Sequence, residues 1–146
     1  MMDIDRTAPV VVELRETVHA PLETIWQLHT DVASWPLWNT GIDTAVLRQP
    51  LAPGACFDWT TAGLDIRSTV AELTPMRRIV WGGPAHGITG IHVWEFEQTG
   101  NGVQVSTRES WAGAPVDAAP QAMHHALEES LLAWLKVLKT TAESRS

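Results

Sequence analysis

Two side chains in this sequence have the types and the placement for proton transfer: His92 and Glu109. Both lie in segments where apolar and polar residues alternate, so the face each occupies can be read from its neighbours. In 103–111, Gln104, Ser106, Arg108 and Ser110 form a polar face, while Val103, Val105, Thr107, Glu109 and Trp111 form the other. Glu109 is therefore expected to point inward. In 88–97, Ile88, Gly90, His92, Trp94 and Phe96 share a face, with Ile91 and Val93 opposite. Gly100-Asn101-Gly102 joins the two segments as a tight hairpin. If Phe96 faces Val103, His92 sits opposite Thr107 and diagonal to Glu109. A shift of two residues puts His92 directly opposite Glu109. Both registers bring the pair within reach, because diagonal neighbours are roughly 7–8 Å apart. A histidine beside a buried carboxyl can move protons to or from a carbonyl-bearing ligand, as an aldol-type cyclisation or a dehydration requires. The commoner role of such a pair is structural, a satisfied buried polar contact. Both readings stand.

Other residues narrow the chemistry. Val12, Leu14, Glu16 and Val18 share a face, which makes Glu16 a second inward acid. Trp59, Trp81, Trp94 and Trp111 offer flat apolar walls with one donor each, whereas Trp26, Trp35 and Trp38 read as framework for short helices. Cys56 is the only cysteine, which excludes an internal disulfide and a multi-thiolate metal site; it is expected to be a small buried hydrophobe. His124 and His125 open a helical stretch, but adjacent positions point about 100° apart and no His-x-x-x-His pair exists. No metal site is expected. Gly82-Gly83 is not followed by Lys-Ser/Thr, so it reads as a turn, or as a relief that lets a ligand approach the sheet. No nucleophile elbow and no cofactor motif appears, and no cofactor is expected.

The elements that must hold these residues follow from period and punctuation. A strand over 10–18 ends at Ala20-Pro21, and a short helix over 22–29 follows. Asp31 is placed to cap a second short helix over 32–38, made irregular by Pro36. Strands are expected at 43–49, 56–61, 65–73, 79–82, 88–97 and 103–111, separated by Gly- and Pro-rich turns. Links this short require mostly antiparallel pairing. After Pro115 and Pro120 the period changes: Met123, Leu127, Leu131, Trp134, Leu135 and Leu138 form a stripe on a helix near 120–141. The expectation is an α+β helix-grip fold, with a seven-stranded antiparallel sheet curved around a long C-terminal helix and two short helices after the first strand. Residues 1–8 and the tail from about Ala142 read as loose ends around one domain spanning 1–146. One helix does not fill so wide a groove, and the remainder is expected to be a pocket.

Composition sets the outer bounds. The chain has 146 residues, 45% of them apolar, enough for a full core. No apolar run approaches the roughly 20 residues of a bilayer-crossing helix, and the acidic, polar start is unlike an export signal. A cytoplasmic protein without membrane insertion is expected. The formal net charge is −7, and Arg77-Arg78 is the only adjacent basic pair, which disfavours nucleic acid and anionic membranes. Eight Trp, two Phe and no Tyr suit a wide cavity wall, though a bulky core uses Trp as well.

Five stretches carry a family resemblance. His19-Ala20-Pro21-Leu22-Glu23-Thr24-Ile25-Trp26 is similar to a "strand, Ala-Pro, acidic residue, aliphatic-Trp" opening. Asp31-Val32-Ala33-Ser34-Trp35-Pro36-Leu37-Trp38 is similar to an "Asp, then Trp-Pro-x-Trp" segment. Gly54-Ala55-Cys56-Phe57-Asp58-Trp59, Trp81-Gly82-Gly83 and Glu109-Ser110-Trp111-Ala112-Gly113 resemble later strand endings. Over about residues 10–140 the chain resembles the START-like (SRPBCC) superfamily, named for polyketide cyclases, dehydrases and lipid-transport proteins. The resemblance implies the helix-grip fold; it supplies no shared catalytic motif, since one fold hosts many activities. The leading reading is binding of a hydrophobic, aromatic or polyketide-like small molecule, with cofactor-free cyclase/dehydrase activity as an extension. The alternative is a protein-interaction module like the superfamily's co-chaperone branch, which an exposed apolar surface outside the cavity would favour. The strands are expected to contribute Glu16, Trp59, Ser68, Trp81 and Trp94 to the ligand site, together with His92, Thr107, Glu109 and Trp111. The last helix adds Leu127 and Leu131. His92 and Glu109 are the candidate catalytic pair.

Overall fold

The computed structural model of the chain describes residues 2–145. The alternating segments form seven strands: β1 (Val10–Val18), β2 (Ile42–Leu47), β3 (Cys56–Thr61), β4 (Leu64–Thr74), β5 (Arg78–Ala85), β6 (Ile88–Thr99) and β7 (Gly102–Ala112). They make one antiparallel sheet in the order β1-β7-β6-β5-β4-β3-β2. From β2 to β7 each strand pairs with the next, and β1 lies at the opposite edge beside β7. The β6–β7 hairpin turns through Gly100 and Asn101, with Thr99 opposite Gly102. That register places His92 directly opposite Glu109 and Trp94 opposite Thr107.

Between β1 and β2 run α1 (Leu22–Thr30), a 3₁₀ turn (Val32–Ser34) and α2 (Trp35–Trp38). Pro36 lies in the first turn of α2, where its missing N–H leaves no bond broken. The cap expected from Asp31 does not form; its carboxylate accepts from the Ser34 hydroxyl at 2.7 Å instead. A short helix that the pattern did not announce, α3 (Ala114–Ala118), precedes α4 (Pro120–Arg145). Pro120 disfavours helical geometry at the residue before it, and Ala119, at φ −149° and ψ 63°, separates the two helices.

The 26 residues of α4 span about 39 Å. Leu127, Leu131, Trp134, Leu135, Leu138 and Ala142 form its buried stripe against the concave face of the sheet. The tail expected from Ala142 is thus the last helical turn, held down by that buried alanine. The main core lies between α4, α1 and the sheet and contains Ile25, Trp35, Phe57, Trp94 and Phe96.

The N-terminal residues are not a loose end either. Ile4 is buried on the convex face against Val80 and Val93, with Val11 and Ile91 beside them. The Asp3 carboxylate accepts from Arg108 Nε at 2.8 Å, and the Asp5 backbone N–H donates to Ser110 Oγ at 3.0 Å. Arg78, also buried, ties Glu72 and Glu95 to the carbonyl of Met2. This cover explains why Ile91 and Val93 interrupt a simple polar-out pattern in β6: the convex face is itself partly an interior.

Candidate functional site

The concave side of the sheet leaves a cavity of about 380 Å³ beside the N-terminal half of α4. The β3–β4 hairpin supplies Trp59, Ile66 and Ser68. β5 and β6 supply Trp81, Gly82, Gly83, Gly90 and His92, and β7 supplies Glu109 and Trp111. α4 closes it with Met123, Leu127, Leu131 and Trp134. Exposed Ala62, Leu64, His86, Ala126 and Ser130 make the rim. The walls are mostly apolar, as small-molecule sites are.

Room for this cavity comes from glycines in β5 and β6. A Cβ on Gly82 would stand 2.2 Å from the carbonyl oxygen of Gly90 on the adjacent strand, so only glycine permits that approach. Gly90, by contrast, has ordinary space above it: a Cβ there would lie 3.5 Å from the Trp111 ring and 3.7 Å from Glu109 Oε2. Gly90 therefore forms part of the cavity floor by lacking a side chain.

On this floor His92 Nδ1 lies 3.1 Å from Glu109 Oε1. His92 Nε2 is hydrogen-bonded to Thr107 Oγ1 at 2.8 Å, and the Trp111 indole N–H donates to Glu109 Oε2 at 2.7 Å. The His92 and Glu109 side chains are only 5% and 15% exposed. Burial penalises the charged form of each. It holds the His92 imidazole down to about 3, so the ring is neutral at physiological pH. It pushes the Glu109 carboxyl up to about 7, although the indole N–H opposes this by stabilising the carboxylate. A carboxyl that exchanges its proton near neutral pH is suited to general acid/base work. When Glu109 is ionised, electrostatics favour the His92 tautomer with its proton on Nδ1, leaving Nε2 to accept from Thr107. Thr107 and Trp111 thus hold the His92 ring and the Glu109 carboxyl in place on the floor.

The remaining expected site residues divide. Trp59, Ser68, Trp81, Trp111, Leu127 and Leu131 line the cavity, and Ser68 Oγ accepts from the Trp59 indole N–H at 3.1 Å. Trp94 does not line it. The ring is fully buried in the core, packed on His29 with centroids 4.2 Å apart and on Trp134 at 5.4 Å. The inward face near Trp94 is filled by α1, so inward there means core rather than cavity. Thr107 is also buried off the cavity and acts on the site through His92. Glu16 faces α4 but lies near the helix's last turns, where its side chain is 44% exposed and 3.9 Å from Lys139 Nζ. It is a surface acid and no part of the cavity. Cys56 is half-buried rather than core, with its Sγ 3.3 Å from Thr69 Oγ1. His124 is half-buried and His125 exposed, within 3.1 Å of Glu129. Among the described residues no group of three metal-ligating side chains comes together.

Sequence reasoning missed Trp134, Gly90 and His29. Trp134 falls on the stripe of Leu127 and Leu131, so its spacing was a usable signal. Gly90 sits in phase with His92, and an in-phase glycine is the mark of a floor. His29 is in phase with Leu22, Ile25 and Trp26 on the short helix, a usable signal for burial, and it packs in the core off the cavity. Its ring is fully buried among Trp35, Trp81, Trp94, Phe96 and Trp134, and neither nitrogen has a partner. Burial, and secondarily His92, hold its pKa well below the ordinary histidine value.

A family model described as polyketide cyclase / dehydrase and lipid transport matches residues 9–143. No curated protein sequence matches the chain. Among solved structures, a hypothetical protein of Helicobacter pylori superposes with a TM-score of 0.84 at 21% identity, covering 97% of both chains. A START superfamily protein from Mycobacterium smegmatis has a TM-score of 0.77 at 14% identity, covering 93% of this chain and 99% of the other. An aromatase/cyclase from a Streptomyces species has a TM-score of 0.80 at 17% identity, covering 92% and 94%. At these identities the likeness is one of fold.

Proposed function

The chain belongs to the polyketide cyclase / dehydrase and lipid transport family, and on that premise we propose that its cavity binds a hydrophobic small molecule of aromatic, polyketide-like character. The observation that carries this reading is one carboxyl, paired with a neutral histidine, on the floor of an otherwise apolar, Trp-walled cavity. The walls supply affinity by burying the ligand's rings, and the pair supplies orientation and a place for one polar group. The exposed large apolar side chains Met2, Leu37, Val46, Leu64 and Leu132 come one to a segment. That dispersal favours the cavity, and not a protein-docking face, as the working surface. No helix among the described residues is long and apolar enough to cross a membrane.

The finer reading makes the pair catalytic without a cofactor. In an aldol-type closure a base takes a proton from the carbon beside one carbonyl, and the carbanion attacks a second carbonyl. The same group then returns the proton to the new alkoxide. Loss of water follows with no change of oxidation state. Glu109 is the group that can hold and release that proton near neutral pH, with His92 positioned by Thr107 to share it.

The binding test uses the eight Trp as reporters. Titration with a hydroxylated anthraquinone should quench fluorescence saturably. Gly90→Val fills the floor without a backbone clash, so affinity should fall at least tenfold in that variant while the fold persists. No saturable response, or an equal one from both proteins, contradicts the proposal.

A further inference from the structure

We propose that the cavity selects ligands by charge, favouring a hydrophobic amine whose protonated nitrogen sits on Glu109 and disfavouring carboxylates of the same shape. This rests on the cavity reading above and names the class of molecule that the cavity takes best.

Side chains from several elements face Glu109. From β6 comes His92, neutral and 3.1 Å away. From the β5–β6 turn comes His86, at the exposed rim and hydrogen-bonded through Nε2 to the Asp65 carbonyl at 2.8 Å. The lining residues of β3, β4, β5 and α4 are apolar or uncharged, and the residue opposite on β1 is Val12. Among the described residues no lysine or arginine lines the cavity. Arg78 and Arg108 lie on the convex face and are engaged with Glu72, Glu95 and Asp3, while Arg6, Arg48 and Arg67 pair with Asp3, Glu13 and Asp58. An anionic headgroup entering the cavity would therefore meet a carboxyl with no cation to compensate it.

A cation meets the opposite situation. Glu109 has been stripped of water by folding itself, so that part of the desolvation is spent before a ligand arrives. Burial is what raises its proton affinity, and an ammonium group can take the proton's place. The rings of Trp59, Trp81 and Trp134 border the same space and offer π faces to a cation. A neutral ligand gains the walls and none of the charge pairing.

Proton linkage gives a signature. Below about pH 7 Glu109 carries a proton that an ammonium ligand must displace, so one proton is released and affinity rises up to tenfold per pH unit. Above 7 the dependence flattens. The probes are 1-naphthylmethylamine, 1-naphthalenemethanol and 1-naphthoate, matched in ring and size, measured by calorimetry at pH 6 and 8 in buffers of different ionisation heat. The amine should bind at least tenfold tighter than the alcohol at pH 8, with the carboxylate weakest and proton release seen for the amine at pH 6. Glu109→Gln should erase the preference for amine over alcohol; should that variant misfold, the pH 6 to pH 8 gain on the unaltered protein decides. An alcohol or carboxylate that binds as tightly as the amine overturns the charge selection and leaves the cavity reading intact. Absence of saturable binding by all three overturns both.

Discussion

Replacing Glu109 by Gln should stabilise the protein relative to its parent at pH 8 far more than at pH 5. The variant keeps the shape and an acceptor for the Trp111 indole N–H, and loses only the ability to ionise. In the folded protein the Glu109 carboxyl holds its proton to about 7, against an ordinary 4.5. A carboxyl raised in this way contributes stability that is full below the unfolded value and is lost as pH rises through the folded value. At about 1.4 kcal/mol per pH unit, the loss between pH 5 and 8 comes to about 2.5 kcal/mol, which the Gln variant escapes. Groups common to both proteins cancel in the comparison. Urea unfolding followed by far-ultraviolet circular dichroism at the two pH values measures it. With a urea dependence of about 1–3 kcal/mol per molar, the gap between midpoints should move by about 1–2 M in favour of the variant. A constant gap would show that Glu109 ionises normally. A gap that moves in favour of the parent would show an ion pair with protonated His92, the reverse of the burial argument.

Acid should act through the histidines: His92, held down to about 3, and His29, held well below the ordinary value, are neutral when folded, so stability is lost as pH falls below about 6.5, and His92→Gln should reduce the slope seen in urea midpoints between pH 6.5 and 4. Thr107→Val leaves His92 Nε2 without its partner and should cost about 1–2 kcal/mol in chemical denaturation while leaving the cavity walls and ligand affinity within a few-fold. Ile4→Ala opens the convex-face contact with Val80 and Val93 and should cost about 2 kcal/mol; an unchanged melting temperature would mean that the N-terminal segment is not part of the folded unit. Gly82→Ala puts a methyl 2.2 Å from a carbonyl oxygen of the next strand and should cost at least about 1–3 kcal/mol, read as a lowered melting temperature. Glu16→Gln, at an exposed pair with Lys139, should stay within about 0.5 kcal/mol of the parent in the same measurement.

The sequence by itself determined the seven strands, the last helix and the faces they present. A strand's side chains alternate with period two and a helix's stripe repeats near 3.6, so Gln104, Ser106, Arg108 and Ser110 sufficed to turn Glu109 inward, and Leu127, Leu131 and Leu138 sufficed to aim the last helix. Short Gly- and Pro-rich links then left antiparallel pairing as the available topology. Two registers remained open for the β6–β7 hairpin, since period two tolerates a slip of two residues without turning any side chain over. The tertiary structure chose the one with a two-residue turn. It also decided which inward residues meet a cavity. Trp81 and Trp94 share the concave face and His29 of α1 packs on both, yet of the two only Trp81 also borders the cavity. Glu16 faces the same way as Val12 and reaches solvent because it lies beyond the cavity, alongside Lys139. Nor does local pattern show that Ile4 would cover Val80 and Val93, because that contact joins segments far apart in the chain. Periodicity reports direction relative to one element's own axis. Whether that direction ends in core, cavity or water depends on what other elements bring there, and only the packed chain settles that.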